Sequence, residues 1–97
     1  MTISFDWDDK KNQSNQQKHG VSFELAMHVF EDPLRKTVQD RVVDGEMRYQ
    51  TLGVVGGALV HLLVAHTLDE DDDSTELIRI ISARKATQKE RRDYEQE

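Results

Sequence analysis

Cysteine is missing from the 97-residue chain, which excludes disulfide scaffolds, thiolate zinc sites and thiol nucleophiles. Such a chain suits a reducing cytoplasm. Proline occurs once, as Pro33, so no proline-rich linker divides the sequence, and one small domain over residues 1–97 is expected. Long apolar runs are also lacking: none reaches the length of a membrane span. The opening Met1 to Asp9 has neither the basic start nor the apolar stretch of a signal peptide. A cytoplasmic protein without membrane attachment is therefore expected, and Asn12-Gln13-Ser14 matches the glycosylation acceptor pattern by chance.

Positive charge is in deficit, with 13 Lys and Arg against 19 Asp and Glu and a formal net charge of -6. The deficit is local. Asp69, Glu70, Asp71, Asp72, Asp73 and Glu76 supply six negative charges in one stretch, and the remaining 13 acidic residues balance the 13 basic ones. A positive patch elsewhere is therefore compatible with the composition, although nucleic-acid binding through it would be salt-sensitive. The acidic stretch reads as a solvated turn, with attraction of a basic partner protein as the alternative.

The glycines form neither a GxGxxG nor a Walker pattern, and no GxSxG is present, so nucleotide cofactors and acyl-enzyme chemistry have no support. His19, His28, His61 and His66 are spread without a pair at metal-ligand spacing, and no metal or other cofactor is expected.

What is present is a regular succession of elements. Ile3 to Phe5 reads as a short strand; Asp6 or Asp8 caps a helix to about Lys18, closed by Gly20 in the left-handed conformation. That helix has no apolar stripe, which predicts a surface position or a contact the pattern does not reveal. Ser22 caps a second helix with Phe23, Ala26, Met27 and Phe30 on one face, stopped at Asp32-Pro33. Leu34 to Gln39, Met47 to Val55 and Ala58 to Thr67 read as hairpin strands turned at Asp44-Gly45 and Gly56-Gly57. Glu76 to Ser82, carrying Ile78, Ile80 and Ile81, predicts a central strand buried on both faces. Thr87 and Glu90 form a capping box for a last helix. The fold expected is α+β: an antiparallel sheet of about four to five strands with two N-terminal helices and a C-terminal helix packed on it.

Candidate functional residues cluster near strand ends. Glu46 and Arg48, two apart, project from one strand face and can share a task or an ion pair. Arg79 interrupts an apolar strand and must be paired, with Glu46 or Asp40 as partners, or face a polar cleft. Arg84 and Lys85 precede the capped helix, where free N–H groups favour an anion such as phosphate. His66, at a strand end, is a candidate for proton transfer at a cleft, and His19 beside Lys18 can cap helix carbonyls.

The residues Phe5-Asp6-Trp7-Asp8, the run Lys18-His19-Gly20-Val21-Ser22-Phe23, Asp32-Pro33, Glu46 with Arg48, and Ile78 to Thr87 followed by Glu90-Arg91 and Tyr94 resemble the BrnT family of type II toxins, from about Ile3 to Tyr94. The resemblance implies a RelE-like fold and a ribonuclease that halts translation. It also implies neutralisation by a BrnA-type ribbon-helix-helix antitoxin, with two toxins and two antitoxins in a complex that reaches DNA only through the antitoxin. RelE-like ribonucleases use the RNA 2′-hydroxyl as nucleophile without a metal. Such chemistry needs proton transfer and fixed cations. On this resemblance Arg48, Arg79 and Arg84 stabilise charge, Glu46 and His66 move protons in an order left open, and Lys18 and His19 serve the family's architecture or its RNA path; Lys18, His19, Lys85, Arg91 and Tyr94 are the RNA-binding candidates. Three rivals stand beside it: an interaction module without useful activity, a metal nuclease built on Asp69 to Asp73, and a stand-alone transcription regulator.

Overall fold

The computed structural model describes residues 2–57, 59–70 and 74–96. The chain opens with β1 (Thr2–Asp6), in which Ile3 and Phe5 turn inward between exposed neighbours. Asp8 caps α1 (Asp9–His19) by accepting the Lys10 and Lys11 N–H groups. Gly20, at φ 69°, closes the helix by donating to the Gln16 carbonyl at 2.8 Å. The missing apolar stripe is replaced by two asparagines three residues apart, Asn12 and Asn15, the buried residues of α1. Asn12 accepts the Phe23 N–H and donates to Glu24 Oε1, both at 2.8 Å. Asn15 Nδ2 donates to the Val21 and Ala83 carbonyls at 2.8 Å, and its Oδ1 accepts the Ala83 N–H at 3.2 Å.

Ser22 caps α2 (Phe23–Ala26), which tightens into a 3₁₀ turn over Met27–Glu31. Phe23, Ala26 and Phe30 are buried as the helical spacing predicts, and the tighter turn brings Val29 inward as well. Asp32 ends the turn. Its Oδ1 accepts the Leu34 N–H, and its Oδ2 accepts the Val54 N–H at 2.9 Å.

Three strands follow as a meander: β2 (Lys36–Val43), β3 (Glu46–Val55) and β4 (Val60–His66). Asp44 and Gly45 both have positive φ, 51° and 79°, the signature of the tight hairpin turn that the pair predicts. The β2 strand starts at Lys36 rather than Leu34 and runs past the expected end at Gln39, because its pairing with β3 continues around a bulge at Asp40. Of the acidic stretch, Asp69–Glu70 forms a short β5, while Asp71, Asp72 and Asp73, like Ala58 at the expected start of β4, lie outside the described residues. The chain ends with β6 (Thr75–Lys85) and α3 (Gln88–Glu95), whose Thr87–Glu90 capping box is present.

The sheet runs in the order β1-β6-β4-β3-β2, with β5 also on β6. It is mixed rather than antiparallel, since β1 pairs with β6 in parallel, Asp6 opposite Arg79. Five alternating residues carry no information about direction, so the pattern alone could not show this. The central β6 also differs from expectation: it buries one face only. Ile78 and Ile80 are buried while Leu77 and Arg79 are exposed. Ala65 pairs with Ser82 and His66 with Ile80, so Ile81 is an extra residue, and beyond this bulge the inward position passes to Ala83.

The core lies between one sheet face and α2 with its 3₁₀ extension, where Phe23, Val29 and Phe30 meet Leu62, Val64, Ile78 and Ile80. Gly53 is required there, because a Cβ would lie 2.9 Å from Val29 Cγ1. The opposite, outer face carries Arg48, Gln50 and Leu52 from β3, His61, Leu63 and Ala65 from β4, and Ser82 and Arg84 from β6. At one end α3 lies across it, with the Tyr94 ring set edge-on to His61 at 5.2 Å.

Candidate functional site

All three arginines singled out from the sequence reach the outer face, but in two groups. Arg79 and Glu46 line one cavity of about 330 Å³ together with Asp6 and Asp69. Neither Glu46 nor Asp40 is the partner of Arg79; Asp6, its register neighbour in the parallel pairing, stands 3.8 Å from Nη1. Three carboxylates against one guanidinium make this end of the face acidic. Arg84 lines a second cavity, of about 210 Å³, with His19, Gln50, Ala65 and Ser82. Glu46 and Gln50 are four residues apart on β3, about 13 Å at the usual strand rise, so the two cavities are separate stations on one face.

Arg48 stands between them. Its side chain is 22% exposed, Glu46 Oε1 lies 3.6 Å from its Nε, and among the described residues that buried Nε makes no hydrogen bond. Arg84 is gripped more firmly. Its Nη1 and Nη2 donate to the two Glu90 carboxylate oxygens at 2.8 and 2.9 Å, a bidentate pair that also keeps Glu90 in its capping box with the Thr87 N–H. The hydrogen bond from Arg84 holds the Glu90 carboxyl down to about 2, against the opposing effect of burial, and the same bond raises the Arg84 pKa. Each candidate cation thus has a carboxylate of its own.

His66, expected at the mouth of a cleft, is buried at 1% exposure on the inner face. Its Nδ1 lies 2.8 Å from the Thr67 carbonyl, which can only accept, so that nitrogen carries the proton. Nε2 then accepts from the Thr51 hydroxyl at 2.7 Å, and Thr51 in turn accepts from Thr37 at 2.8 Å. Phe30 meets the ring edge-on and Tyr49 stacks on it. Burial pushes its pKa down, so the imidazole stays neutral, and both nitrogens are occupied within the fold. The alternation signal was right about the strand and silent about which face holds the ring.

The RNA-binding candidates also separate. Lys18 and His19 lie beside the Arg84 cavity; both line a groove of about 260 Å³ over Ile81 and Ser82. Lys85 alternates away from Arg84 and is exposed. Arg91 lines a cavity at the far end with His61 and Arg92. Tyr94 donates its hydroxyl to Asp32 Oδ2, and burial, reinforced by Asp32, raises its pKa to about 12. Burial pushes the Asp32 carboxyl up, but the Tyr94, Val54 and Leu34 hydrogen bonds with the Arg35 charge outweigh it and keep Asp32 below the usual range. A cavity of about 410 Å³ beside this tether is lined by His28, Asp32 and Tyr94 and has no Lys or Arg on its walls.

Gln50, which faces Ser82 across β4, and Ser82, two residues before Arg84 on β6, were not among the sequence candidates; their signal was position opposite Ala65 once the register is known. Among the described residues no three of His, Asp and Glu gather as a metal-ligand set, and no helix is long and apolar enough to cross a membrane.

Comparison with curated proteins returns no match. Residues 7–90, however, match the family model described as the ribonuclease toxin, BrnT, of type II toxin-antitoxin systems. The match takes in α1, the whole meander, Arg84 and the capping box of α3, and the chain therefore belongs to the BrnT family of ribonuclease toxins.

Proposed function

We propose that the outer face of the sheet is the RNA surface and that cleavage takes place at the Arg84 cavity, without a metal, by attack of the RNA 2′-hydroxyl on the neighbouring phosphorus. The observation that carries this reading is the meeting of His19 and Arg84 on the walls of one cavity, with Lys18 in the adjoining groove. The Arg84 guanidinium stabilises charge on the phosphoryl oxygens, and Arg48, midway along the face, holds a flanking phosphate. Glu46 orients Arg48 through their ion pair, and Arg79 lies in the acidic station further along. His66 supports the fold beneath this surface rather than moving protons.

Membership of the family makes the chain a toxin with an antitoxin partner. The finer picture is proposed: a single RelE-like domain acting in the cytoplasm to stop translation. The partner would be a BrnA-type ribbon-helix-helix antitoxin, two copies of each chain assembling and touching DNA through the antitoxin alone. Incubating the purified chain with RNA in excess chelator tests the chemistry. Products ending in a 2′,3′-cyclic phosphate and a 5′-hydroxyl support it; 3′-hydroxyl ends, or activity abolished by chelator, contradict it. The Arg–carboxylate pairs favour one second reading, a RelE-like interaction module in which the arginines are structural and activity resides in antitoxin binding and operon co-repression. Intact RNA in the same incubation, with antitoxin binding retained, identifies that case.

A further inference from the structure

The cleavage chemistry proposed above needs a proton for the departing 5′-oxygen, and the Arg84 cavity holds one side chain suited to supply it. Among the described histidines, His66 is buried with both nitrogens occupied, His61 lies against Tyr94 under α3, and His28 is bonded to Glu31 at 3.0 Å. His19 is exposed, lines the cavity with Arg84, Gln50 and Ser82, and among the described residues its ring makes no hydrogen bond or ion pair.

Its placement is built into the fold. Asn15 lies one helical turn before His19, on the same side of α1, and is fixed to both main-chain groups of Ala83. That attachment sets the end of α1 over β6, so His19 comes to line the same cavity as Arg84, the neighbour of Ala83. Gly20 in the left-handed conformation then ends the helix immediately after it.

Resting on the proposed RNA cleavage at this cavity, we propose that His19 is the catalytic acid for the leaving group. As the 2′-oxygen bonds to phosphorus its proton passes to solvent water; as the bond from phosphorus to the 5′-oxygen breaks, the His19 imidazolium gives its proton to that oxygen. The products are a 2′,3′-cyclic phosphate and a 5′-hydroxyl, and His19 regains a proton from water. Arg84 remains charged throughout.

The test compares an RNA oligonucleotide with one in which sulfur replaces the bridging 5′-oxygen at the cleaved position. A thiolate leaves without protonation, since a thiol titrates at about 8.5, far below an alcohol. His19→Gln should slow cleavage of the ordinary RNA on the order of 10²-fold or more and leave the sulfur substrate within about threefold of wild type. Wild-type chain should also lose rate on the alkaline side with the ordinary RNA and show no such limb with the sulfur substrate, a readout that needs no variant. Equal losses on both substrates, or a wild-type alkaline limb shared by both, overturn the proposal in favour of simple RNA binding by His19. If the wild-type chain cleaves neither substrate, the cleavage reading itself fails.

Discussion

Asn15 and Ala83 are joined in both directions, the carboxamide donating to the carbonyl at 2.8 Å and accepting the N–H at 3.2 Å, as an adjacent strand would. The β1 strand pairs with β6 only as far as Arg79, so the far half of that edge is finished by a side chain from α1. Asp32 does the same at the other side of the sheet, where its carboxylate takes the Val54 N–H beyond the start of β2. Both residues complete main-chain pairing that no strand supplies.

Asn15→Ala should therefore be severely destabilising. It orphans the Ala83 N–H and carbonyl and the Val21 carbonyl inside the protein. A loss of roughly 2–4 kcal/mol is expected from a few unsatisfied buried groups. Urea unfolding of the variant checks it; a change below about 1 kcal/mol, the size of an ordinary surface substitution, would mean the groups find other partners.

Glu90 competes with RNA for Arg84 if the guanidinium binds phosphate. Glu90→Gln keeps an acceptor for the Thr87 N–H but removes the charge, and RNA affinity should rise on the order of tenfold as a charge-assisted bond is lost from the free protein. Filter binding at fixed salt measures this. The pH behaviour has a definite sign. Because the Glu90 pKa is lowered from 4.5 to about 2, the pair's contribution to stability is complete above 4.5 and lost as pH falls through about 2. A carboxyl resonance of Glu90 titrating near 4.5 in the folded chain would contradict the pair.

His66 makes stability depend on pH near neutrality. Its pKa is lowered from 6.5 by burial, so the unfolded chain binds a proton more readily. The contribution of His66 is present above 6.5 and lost as pH falls through its depressed folded value. Thermal unfolding should shift to lower temperature between about pH 7.5 and pH 5.5. His66→Gln should be less stable at neutral pH and flatter across that range. An equally steep dependence in the variant would assign the effect to another group.

Tyr94 distinguishes tether from RNA contact. Tyr94→Phe removes only the hydroxyl held by Asp32, and should cost about 1 kcal/mol of stability while leaving RNA affinity unchanged. A loss of RNA affinity without loss of stability would make Tyr94 an RNA contact instead.

The elements were legible because their punctuation is chemical: Asp8 and Gly20 around α1, Ser22 before α2, Asp44-Gly45 in the hairpin, Thr87 and Glu90 at α3. Their assembly was less so. The direction of β1 and the bulge at Ile81 depend on pairing across the chain, which local alternation does not encode. The inward face of α1 was hidden for a different reason: hydrophobic periodicity searches for apolar stripes, and here Asn12 and Asn15 form the stripe. Of the candidate site, the arginines and the Lys18-His19 pair were visible as residue types. The division of the arginines into an acidic station with Arg79 and a cavity with Arg84, and the burial of His66, follow from strand register, and the place of His19 from the attachment of α1 to β6.

The most direct test of where cleavage occurs is the rate of RNA cleavage in excess chelator by folded Arg84→Ala beside folded Arg79→Ala. Placement of the chemistry at the Arg84 cavity predicts a loss on the order of 10²-fold for Arg84→Ala. It predicts a rate within about fivefold of wild type for Arg79→Ala, whose half-exposed ion pair contributes little. Cleavage by Arg84→Ala at the wild-type rate, or a greater loss in Arg79→Ala, would contradict it.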